Sequence, residues 1–455
     1  MGHAYTMTLC DILARYQRLE NKEVYFLTGS DENTSKVVKA AKEVDKSIEE
    51  FLTEINKNFE NLYKSLNISY DQFIQTTDKK KHWPGAVKLW HKLVEAGDIY
   101  KSTYVGLYCQ SCEAFYTEKD IIDGKCPYHS LVLETIEEEN YFFRLSKYTE
   151  TIKKKIQSDE LRIIPETRKN EILALLERGL EDISFSRPIE NVPHGIPVPD
   201  NSTHVIYVWC DAFVNYISAI GYGRDEEEFN KWWPVDLHVI GKDILRFHAA
   251  IWPAMLLSAG LPLPKSLLVH GFITSGGHKM SKSIGNIIDP LELIEEFGSE
   301  AVRYFLARKI STFEDGDLTK EAFKDAYNGD LANGLGNLVS RVMKLAETYL
   351  SQSVTVKGSV FDRDVALLLD RFEIQKAMNH VWKEIGDLDL LIQNKKPWES
   401  KDQEVISDLV VKLAQIGFSL APFMPETSAK ILVAIKENKM PASLFPRKDS
   451  STNLL

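Results

Sequence analysis

The chain has 455 residues, of which 44% are apolar and 27% charged, and its formal net charge is −11. This composition is that of a globular chain long enough for three or four domains, and no run of about 18 apolar residues is present to span a membrane. The acidic balance argues only weakly against a nucleic-acid partner, because local basic patches decide polyanion binding. The first residues lack the basic and apolar regions of a signal peptide, so we expect a cytoplasmic protein without a membrane partner.

Apolar spacing predicts strands that alternate with helices up to about residue 320. Such alternation indicates an α/β fold with a doubly wound sheet of the Rossmann type, interrupted over residues 100–195 by an inserted domain. Only amphipathic segments follow, which predicts a helix bundle with a frayed tail at Asp449–Leu455. In chain order, the predicted elements are a helix from about residue 4, a strand at Val24–Thr28, helices over 35–100 with turns near Asn67 and Asp78, short strands over 100–145, strands at His204–Val208, Leu237–Ile240 and Leu267–His270, and helical segments at Leu331–Tyr349, Arg363–Gln393 and Asp402–Leu420.

Three of the five cysteines fall close together and form a motif with one histidine. Cys109 and Cys112 are separated by two residues, and Cys126 and His129 repeat that spacing 13 residues later. Cysteine and histidine at this spacing are typical of a closed tetrahedral zinc site, whereas a disulfide framework spreads its cysteines along the chain. Because four protein ligands leave no open position, we predict one structural Zn²⁺ ion.

The loop Lys279-Met280-Ser281-Lys282-Ser283 follows the last predicted strand and the glycine pair Gly276-Gly277. Two lysines among small residues form a mobile cationic loop, which can close on a polyphosphate and neutralise charge on departing pyrophosphate. This pentapeptide resembles the signature of the class I aminoacyl-tRNA synthetases. The resemblance implies that Lys282 is the main transition-state contact and that Lys279 assists it.

Met1-Gly2-His3 stands directly ahead of the first predicted helix. Its Gly-His pair is similar to the second half of the other class I signature, His-x-Gly-His, in which glycine allows close approach to a nucleotide and the helix N-terminus favours anions. Ala4-Tyr5-Thr6 continues as in the methionyl-tRNA synthetase family, which essentially the whole chain resembles. That family has a strand and a first signature histidine ahead of this point, so we expect a misplaced or truncated start.

The resemblance implies which residues bind methionine. The segment Phe26–Glu32 is similar to the family's second strand, so we expect Asp31 to bind the α-amino group through a charge-assisted hydrogen bond. The family continues with His-Gly where this chain has Asn33-Thr34. Aromatic faces suit a soft, polarisable thioether. The expected side-chain pocket consists of Trp209, Ala212, Tyr216, Ile244 and His248.

The resemblance also implies an ATP site, with Mg²⁺ accompanying the nucleotide. Asp243 lies just past the carboxyl end of a predicted strand, where doubly wound folds bind ligands. We expect it to act with Arg187 in organising the ATP and amino-acid sites, and His3, Lys279 and Lys282 to complete the catalytic set. The expected ATP contacts are Gly2, His3, His270, Lys279, Met280, Ser281, Lys282 and Ser283.

Three residues of the predicted helix bundle match those with which the methionyl family reads the CAU anticodon. Asn337 and Arg341 are four residues apart and therefore share one helix face. Trp398 follows in an Asn-Lys-Lys-Pro-Trp segment. Unpaired bases stack on aromatic side chains and are hydrogen-bonded on their edges, so these residue types suit an anticodon.

The resemblance implies five segments. We expect the two halves of a catalytic Rossmann domain at residues 1–98 and 199–262, separated at 99–198 by a connective insertion with the zinc knuckle. A stem-contact region with the lysine loop follows at 263–322, and a helical anticodon-binding domain at 323–455.

The implied reaction activates methionine with ATP and transfers it to the 3′ end of methionine tRNA. One alternative is a leucyl, isoleucyl, valyl or cysteinyl relative, although the aliphatic enzymes carry a larger editing insertion than residues 100–195 can hold. The other is a truncated, catalytically impaired tRNA-binding remnant, which the missing start keeps open. Since some methionyl enzymes carry a C-terminal tRNA-binding appendage that is absent here, we expect a monomer.

Overall fold

The computed structural model describes residues 1–109, 111, 114–116, 121, 123–127, 131–280, 285–356 and 361–448, without the side chains of 104, 105, 114, 115 and 136–138. No helix within these ranges is long and apolar enough to cross a membrane. The chain forms two compact units. The helical unit comprises Met1–Val24, Asn61–Ser69 and His270–Leu455, and the sheet unit comprises Tyr25–Glu60 and Tyr70–Val269.

The elements are numbered along the chain. The helices are α1 (Gly2–Leu19), α2 (Ser35–Glu43), α3 (Ile48–Ser65), α4 (Trp83–Glu95), α5 (Thr149–Gln157), α6 (Glu166–Glu177), α7 (Val208–Ser218), α8 (Glu226–Trp232), α9 (Trp252–Ser258), α10 (Pro290–Phe297), α11 (Ser299–Arg308), α12 (Lys320–Ala326), α13 (Asn337–Tyr349), α14 (Arg363–Asp370), α15 (Ile374–Lys395), α16 (Pro397–Ser400), α17 (Gln403–Leu420) and α18 (Pro425–Glu437). The strands are β1 (Leu27–Ser30), β2 (Gln72–Gln75), β3 (Ile99–Cys109), β4 (Ala114–Tyr116), β5 (Glu134–Phe143), β6 (Arg162–Ile164), β7 (Ile183–Ser184), β8 (Ser186–Pro188), β9 (Pro197–Val198), β10 (Asn201–Ile206), β11 (His238–Gly241), β12 (Ser266–His270), β13 (Ile273–Ser275), β14 (His278–Lys279) and β15 (Gly316–Asp317). Within the described ranges, two 3-10 turns, Leu145–Tyr148 and Lys242–Ile244, and two π-helical segments, Phe247–Ile251 and Tyr327–Gly336, are also present.

Parallel strands organise the sheet unit. β1 pairs with β2 in parallel, and helices α2 and α3 lie between them in the chain. β12 pairs with β6 in parallel and has β11 on its other side. Parallel strands require crossover connections, which helices supply, so the α/β fold expected from the sequence is confirmed. A large apolar core, which includes the fully buried Trp252 and Phe185, packs these layers together.

Two predictions for the sheet unit were wrong in detail. Residues 35–100 are not all helical, because β2 lies within them; its four residues, Gln-Phe-Ile-Gln, are too few to show a period of two. Residues 100–145 do not hold only short strands, because β3 and β5 pair antiparallel along ten residue positions, from Ile99–Phe143 to Tyr108–Glu134. The abundance of tyrosine and threonine in this stretch suits such a long, half-exposed ribbon.

The helical unit holds α1 and a bundle formed by α13, α15, α17 and α18. The predicted segment Arg363–Gln393 is two helices, α14 and α15, because Phe372 takes a positive φ of 61° that no helix interior accepts. The segment Leu331–Tyr349 begins within the π-helical Tyr327–Gly336, and α18 extends the bundle beyond the last predicted helix. The helical C-terminal region expected from the sequence is therefore confirmed, with different boundaries.

A buried ion pair ties α1 to the rest of the helical unit. Arg303 of α11 and Asp11 of α1 are both fully buried, and Arg303 Nη1 lies 2.7 Å from Asp11 Oδ2. Three further guanidinium hydrogens are donated to the carbonyl oxygens of Phe423 (2.8 Å), Pro422 (3.0 Å) and Leu66 (3.1 Å). Burial raises the pKa of Asp11, but Arg303, Arg15 and bonds from Ser69 outweigh it, so the net shift is downward. The carboxylate is therefore charged and fully partnered.

Candidate active site

An aromatic cluster joins α7 to the π-helical turn Phe247–Ile251 in the sheet unit. Trp209 stacks on Phe247 with ring centroids 4.0 Å apart. The Tyr216 hydroxyl oxygen lies 2.8 Å from His248 Nε2, and His248 Nδ1 lies 3.1 Å from the carbonyl oxygen of Ile244. Since a carbonyl only accepts, Nδ1 carries the ring proton and Nε2 accepts a hydrogen bond from the Tyr216 hydroxyl. His248 is thus held as a neutral imidazole of defined tautomer.

The structure brings together four of the five predicted pocket residues: Trp209, Tyr216, Ile244 and His248. Ala212 lies half-buried on the same helix, α7. Three residues that sequence reasoning missed belong to the cluster. They are Phe213, whose ring meets His248 edge-on at 5.1 Å, Trp252, which stacks on Phe213 at 5.4 Å, and His238, whose ring lies 4.1 Å from that of Tyr216. Phe213 directly follows the predicted Ala212 and Trp252 lies four residues after the predicted His248, so aromatic residues close to predicted ones in the sequence were the available signal.

The two buried histidines of this cluster predict a pH-dependent stability. Burial lowers the pKa of His248 to about 4, and burial together with His248 lowers the pKa of His238 well below its usual range. The unfolded chain then binds more protons below about pH 6.5, so the free energy of unfolding falls by up to about 1.4 kcal/mol per pH unit for each histidine as the pH drops from about 6.5 towards 4.

Urea unfolding at about pH 7.5 and about pH 5 measures this loss. His248→Gln is expected to reduce the difference between the two conditions, whereas His278→Gln, at an exposed position, leaves it unchanged. Equal stability of the unchanged protein at both values contradicts the expectation.

The end of β1 places the predicted amino-group ligand, Asp31, at an exposed position. The next residue, Glu32, is buried, and its carboxylate accepts hydrogen bonds from Ser30 Oγ (2.6 Å), Asn56 Nδ2 (2.6 Å) and the Thr77 hydroxyl. The backbone at Asp31 is therefore anchored by its buried neighbour, while Asp31 itself is exposed.

Arg187 and Asp243, predicted to act together, both lie in the sheet unit. Arg187 of β8 is buried and donates from Nη1 to Ser184 Oγ (2.8 Å) and to the carbonyl oxygen of Ser186 (2.7 Å). Its guanidinium stacks over the Tyr207 ring at 4.3 Å. Asp243 lies half-buried in the 3-10 turn that follows β11. Their joint action stays a prediction.

In the helical unit, the first turns of α1 pack against His270. Gly2 and His3 are exposed in the first turn. Thr6, one turn later, has its Oγ1 2.9 Å from His270 Nε2, and the Tyr5 ring meets His270 edge-on at 5.1 Å. His270 Nδ1 lies 2.7 Å from the carbonyl oxygen of Gly271. The structure thus brings His270 next to the helix turn that carries Gly2 and His3.

The hairpin β13–β14 leads into the lysine loop. Gly276 and Gly277 form its turn with positive φ angles of 63° and 76°, which favour glycine. Asp317 accepts hydrogen bonds from Gly277 N (2.9 Å) and Thr274 Oγ1 (2.7 Å), and these bonds, Gly277 first, lower the pKa of its carboxyl. The exposed Lys279 has its Nζ 5.1 Å from the centre of the Phe272 ring.

Asn286 supports the same hairpin from the far side of the loop. Its Nδ2 lies within 3.3–3.4 Å of the carbonyl oxygens of Ser275, His278 and Lys279. Sequence reasoning missed Asn286 and Asp317, because both act on backbone groups and leave no side-chain pattern. Met280 is half-buried, whereas Ser281, Lys282 and Ser283 lie outside the described residues.

The three predicted anticodon residues lie in the helical unit. Asn337 is exposed at the start of α13, and Arg341, one turn later, pairs with Asp389 of α15. Trp398 of the short α16 is 44% exposed, which is unusual for so large an apolar side chain. The exposure of Asn337 and Trp398 leaves them accessible to a partner.

The predicted zinc ligands are described only in part. Cys109 and Cys126 are both buried and pack in one small cluster with Tyr116 and Leu133, whereas Cys112 and His129 lie outside the described residues. Elsewhere among the described residues, Asp362, Asp364 and His380 bring potential ligand atoms within 4.8 Å of one another.

Comparison with known proteins agrees with the motifs. The family model described as tRNA synthetases class I (M) matches residues 1–132 and 131–343. A methionine–tRNA ligase of Thermotoga maritima is 40% identical over 97% of this chain and 74% of its own length, and that of Rhizobium meliloti is 38% identical over 95% and 88%. Methionyl-tRNA synthetase of Mycobacterium tuberculosis, bound by methionyl-adenylate, shows a TM-score of 0.86 and 35% identity over 98% of this chain and 96% of its own.

A family match over most of the chain, together with an α/β frame that leads into a lysine loop and then a helical region, defines a class I aminoacyl-tRNA synthetase. Within that class, the chain belongs to the methionyl-tRNA synthetase family, because relatives about 40% identical extend along nearly its whole length.

Proposed function

We propose that the chain is a methionine–tRNA ligase, which activates methionine with ATP and transfers it to methionine tRNA. The observation that carries this proposal is the cluster of Trp209, Tyr216 and His248. The His248 ring is neutral and hydrogen-bonded, and the faces of the aromatic rings suit an uncharged thioether. The relatives' shared name and the methionyl-adenylate bound by the Mycobacterium tuberculosis enzyme support it. A pocket for leucine, isoleucine or valine does not require a buried histidine that is hydrogen-bonded to a half-buried tyrosine hydroxyl.

Activation is a displacement at phosphorus. A carboxylate oxygen of methionine forms a bond to the α-phosphorus of ATP, the bond to the β-phosphate bridging oxygen breaks, and pyrophosphate leaves with the electron pair. Asp31 holds the α-ammonium group, which leaves the carboxylate free to attack. Lys279 and Lys282 stabilise the charge that grows on pyrophosphate, and Gly2, His3 and His270 contact the nucleotide. Mg²⁺, when bound with ATP, neutralises part of the phosphate charge.

The second step transfers methionine from the adenylate to the tRNA. A ribose hydroxyl oxygen of the terminal adenosine attacks the carbonyl carbon of the adenylate, the bond from that carbon to the phosphate oxygen breaks, AMP leaves with the electron pair, and the hydroxyl proton passes to solvent. The exposed Trp398 and Asn337, with Arg341, support the proposal that the bundle reads the CAU anticodon, since stacking on one unpaired base contributes about 1–3 kcal/mol. The segment boundaries at residues 98, 198, 262 and 322 belong to the same proposal.

We also propose that Cys109, Cys112, Cys126 and His129 hold one structural zinc ion. The two described cysteines fit this role, because both are buried and pack in one cluster with Tyr116 and Leu133, where a shared metal ion can act as a crosslink. Zinc, when bound, supplies that crosslink and takes no part in the reaction.

Metal analysis of the purified protein is therefore expected to give about one zinc per chain. Cys126→Ser is expected to lose most of it, whereas Cys10→Ser, outside the motif, keeps it. Full zinc occupancy in Cys126→Ser, or zinc lost equally in Cys10→Ser, contradicts the assignment.

Amino-acid-dependent exchange of labelled pyrophosphate into ATP tests the proposed activation. Exchange is expected with methionine and not with leucine, isoleucine, valine or cysteine at equal concentration. Exchange with one of the other four amino acids instead assigns the chain to that branch of class I. Tight binding of methionine tRNA without exchange for any amino acid supports the tRNA-binding remnant and rejects the ligase.

A further inference from the structure

Asp211 is a fully buried carboxylate on the helix that carries the proposed methionine pocket. It lies on α7, two residues after Trp209 and directly before Ala212. Its Oδ1 is 2.5 Å from His82 Nε2, and its Oδ2 accepts a hydrogen bond of 2.7 Å from Asn33 Nδ2. A buried carboxylate is costly unless it is partnered, so these two bonds determine where this turn of α7 can lie.

His82 holds α7 at a second point. Its Nδ1 lies 2.9 Å from the hydroxyl oxygen of Ser218, at the last residue of the helix and two turns beyond Asp211. His82 is itself fully buried. The His82 ring therefore forms hydrogen bonds near both ends of α7, and these bonds oppose movement of α7 along the helix axis.

Asn33 connects this helix to the end of β1. It stands two residues after Asp31, and its Nδ2 also donates to the carbonyl oxygen of Thr76 (3.1 Å). Both partners of this nitrogen only accept, which identifies it as the amide NH₂. The preceding residue is fixed as well, because the carbonyl oxygen of Glu32 lies 2.8 Å from His194 Nε2.

Asn33 and Thr34 occupy the positions at which the sequence resemblance leads to an expectation of His-Gly. The structure gives each a specific role in this chain. Thr34 caps α2 by accepting from Val37 N (3.2 Å), and Asn33 supplies the donor to Asp211. A histidine ring nitrogen at position 33 can also donate a hydrogen bond, so Asn33→His is the variant that keeps a donor for Asp211.

We propose that Asn33 is a positioning residue for methionine: through its bond to Asp211 it sets the distance between the Asp31 carboxylate and the side-chain pocket on α7. Methionine spans that distance, because its ammonium group and its thioether bind at opposite ends. This inference rests on the proposed function and extends it to a residue that touches no substrate.

The test compares two ligands. Methionine engages both ends, whereas 4-(methylthio)butanoate, which lacks the amino group, engages the pocket alone. In Asn33→Asp, which removes the donor and adds a like charge, the KM for methionine in pyrophosphate exchange is expected to rise at least about tenfold, the loss of roughly one charged hydrogen bond. The KM for ATP and the inhibition constant of 4-(methylthio)butanoate are expected to change less than about twofold.

Two further variants separate positioning from general damage. Asn33→His restores the donor and is expected to keep the KM for methionine within about threefold of the unchanged protein. Asn328→Asp removes a comparable amide bond, to the Lys448 carbonyl oxygen in the helical unit, and is expected to leave all three constants unchanged. If Asn33→Asp does not fold by circular dichroism, Asn33→Ala replaces it with the same expectation.

An unchanged KM for methionine in Asn33→Asp overturns the inference, and so does an equal loss for methionine and 4-(methylthio)butanoate, which indicates local damage to the pocket. In either case the unchanged protein still exchanges pyrophosphate with methionine, so the proposed function stands. Absence of exchange in the unchanged protein instead rejects the proposed function itself.

Discussion

Replacing Lys282 by alanine is expected to lower kcat for methionine-dependent pyrophosphate exchange by about 10²–10³-fold, the usual cost of removing one group that stabilises transition-state charge. The KM for methionine is expected to change little, because in the proposed mechanism Lys282 acts on the charge that appears on departing pyrophosphate and not on the amino acid. Lys279→Ala is expected to lose less, since Lys279 has the assisting role. Steady-state exchange kinetics at varied methionine and ATP concentrations give these quantities.

Lys344→Ala is the matched control, because Lys344 is an exposed lysine of α13 that pairs only weakly with Glu347 at 3.2 Å. It is expected to match the unchanged protein. A Lys282→Ala variant that keeps its kcat shows that the lysine loop does not stabilise the transition state, whatever its ancestry.

Replacing Arg303 by methionine is expected to lower the free energy of unfolding by about 3–5 kcal/mol, as when one partner of a buried ion pair is removed. The variant leaves Asp11 without its 2.7 Å partner and leaves the carbonyl groups of Leu66, Pro422 and Phe423 without their donor. Urea unfolding followed by circular dichroism measures the loss, with Arg371→Met at an exposed position as the control.

A double-mutant cycle with Asp11→Asn separates the pair from the packing. In the Asp11→Asn background, Arg303→Met is expected to lower the free energy of unfolding by a smaller amount, because no buried charge is left uncompensated. Equal losses in both backgrounds, or a loss in the single variant below about 1 kcal/mol, contradict the assignment of the ion pair as the anchor of α1.

The sequence predicted the long amphipathic helices of this protein better than the break between two helices or a short strand. Long amphipathic stretches such as Gln403–Leu420 carry a strong period and were found, with Asp402 as the capping residue ahead of the helix. The break between α14 and α15 was not, because it depends on a left-handed Phe372 that a helical period does not mark. The strand Gln72–Gln75 was missed because its residues show too little alternation, and its pairing with β1 decides its conformation.

The candidate site divides in the same way. Trp209, Tyr216 and His248 were predicted from the resemblance to the family. That their side chains contact one another is known only from the structure. The bond between Asn33 and Asp211 joins residues 178 positions apart, so no local pattern contains it. Asn286 and Asp317 were not predicted from the sequence, because they bind backbone groups of the hairpin ahead of the lysine loop. The residues predicted to contact substrate lie in segments that resemble the family, whereas the residues that position these side chains are identified only from the structure.

The central claim is that this chain joins methionine to its tRNA, and aminoacylation measures it most directly. The purified protein, with ATP, Mg²⁺ and labelled methionine, is expected to charge a methionine tRNA transcript carrying the CAU anticodon. The same transcript with an altered anticodon is expected to be charged at least about thirtyfold less efficiently, from the loss of two or more base contacts of about 1–3 kcal/mol each. Failure to charge the CAU transcript, or equal charging of both transcripts, contradicts the account.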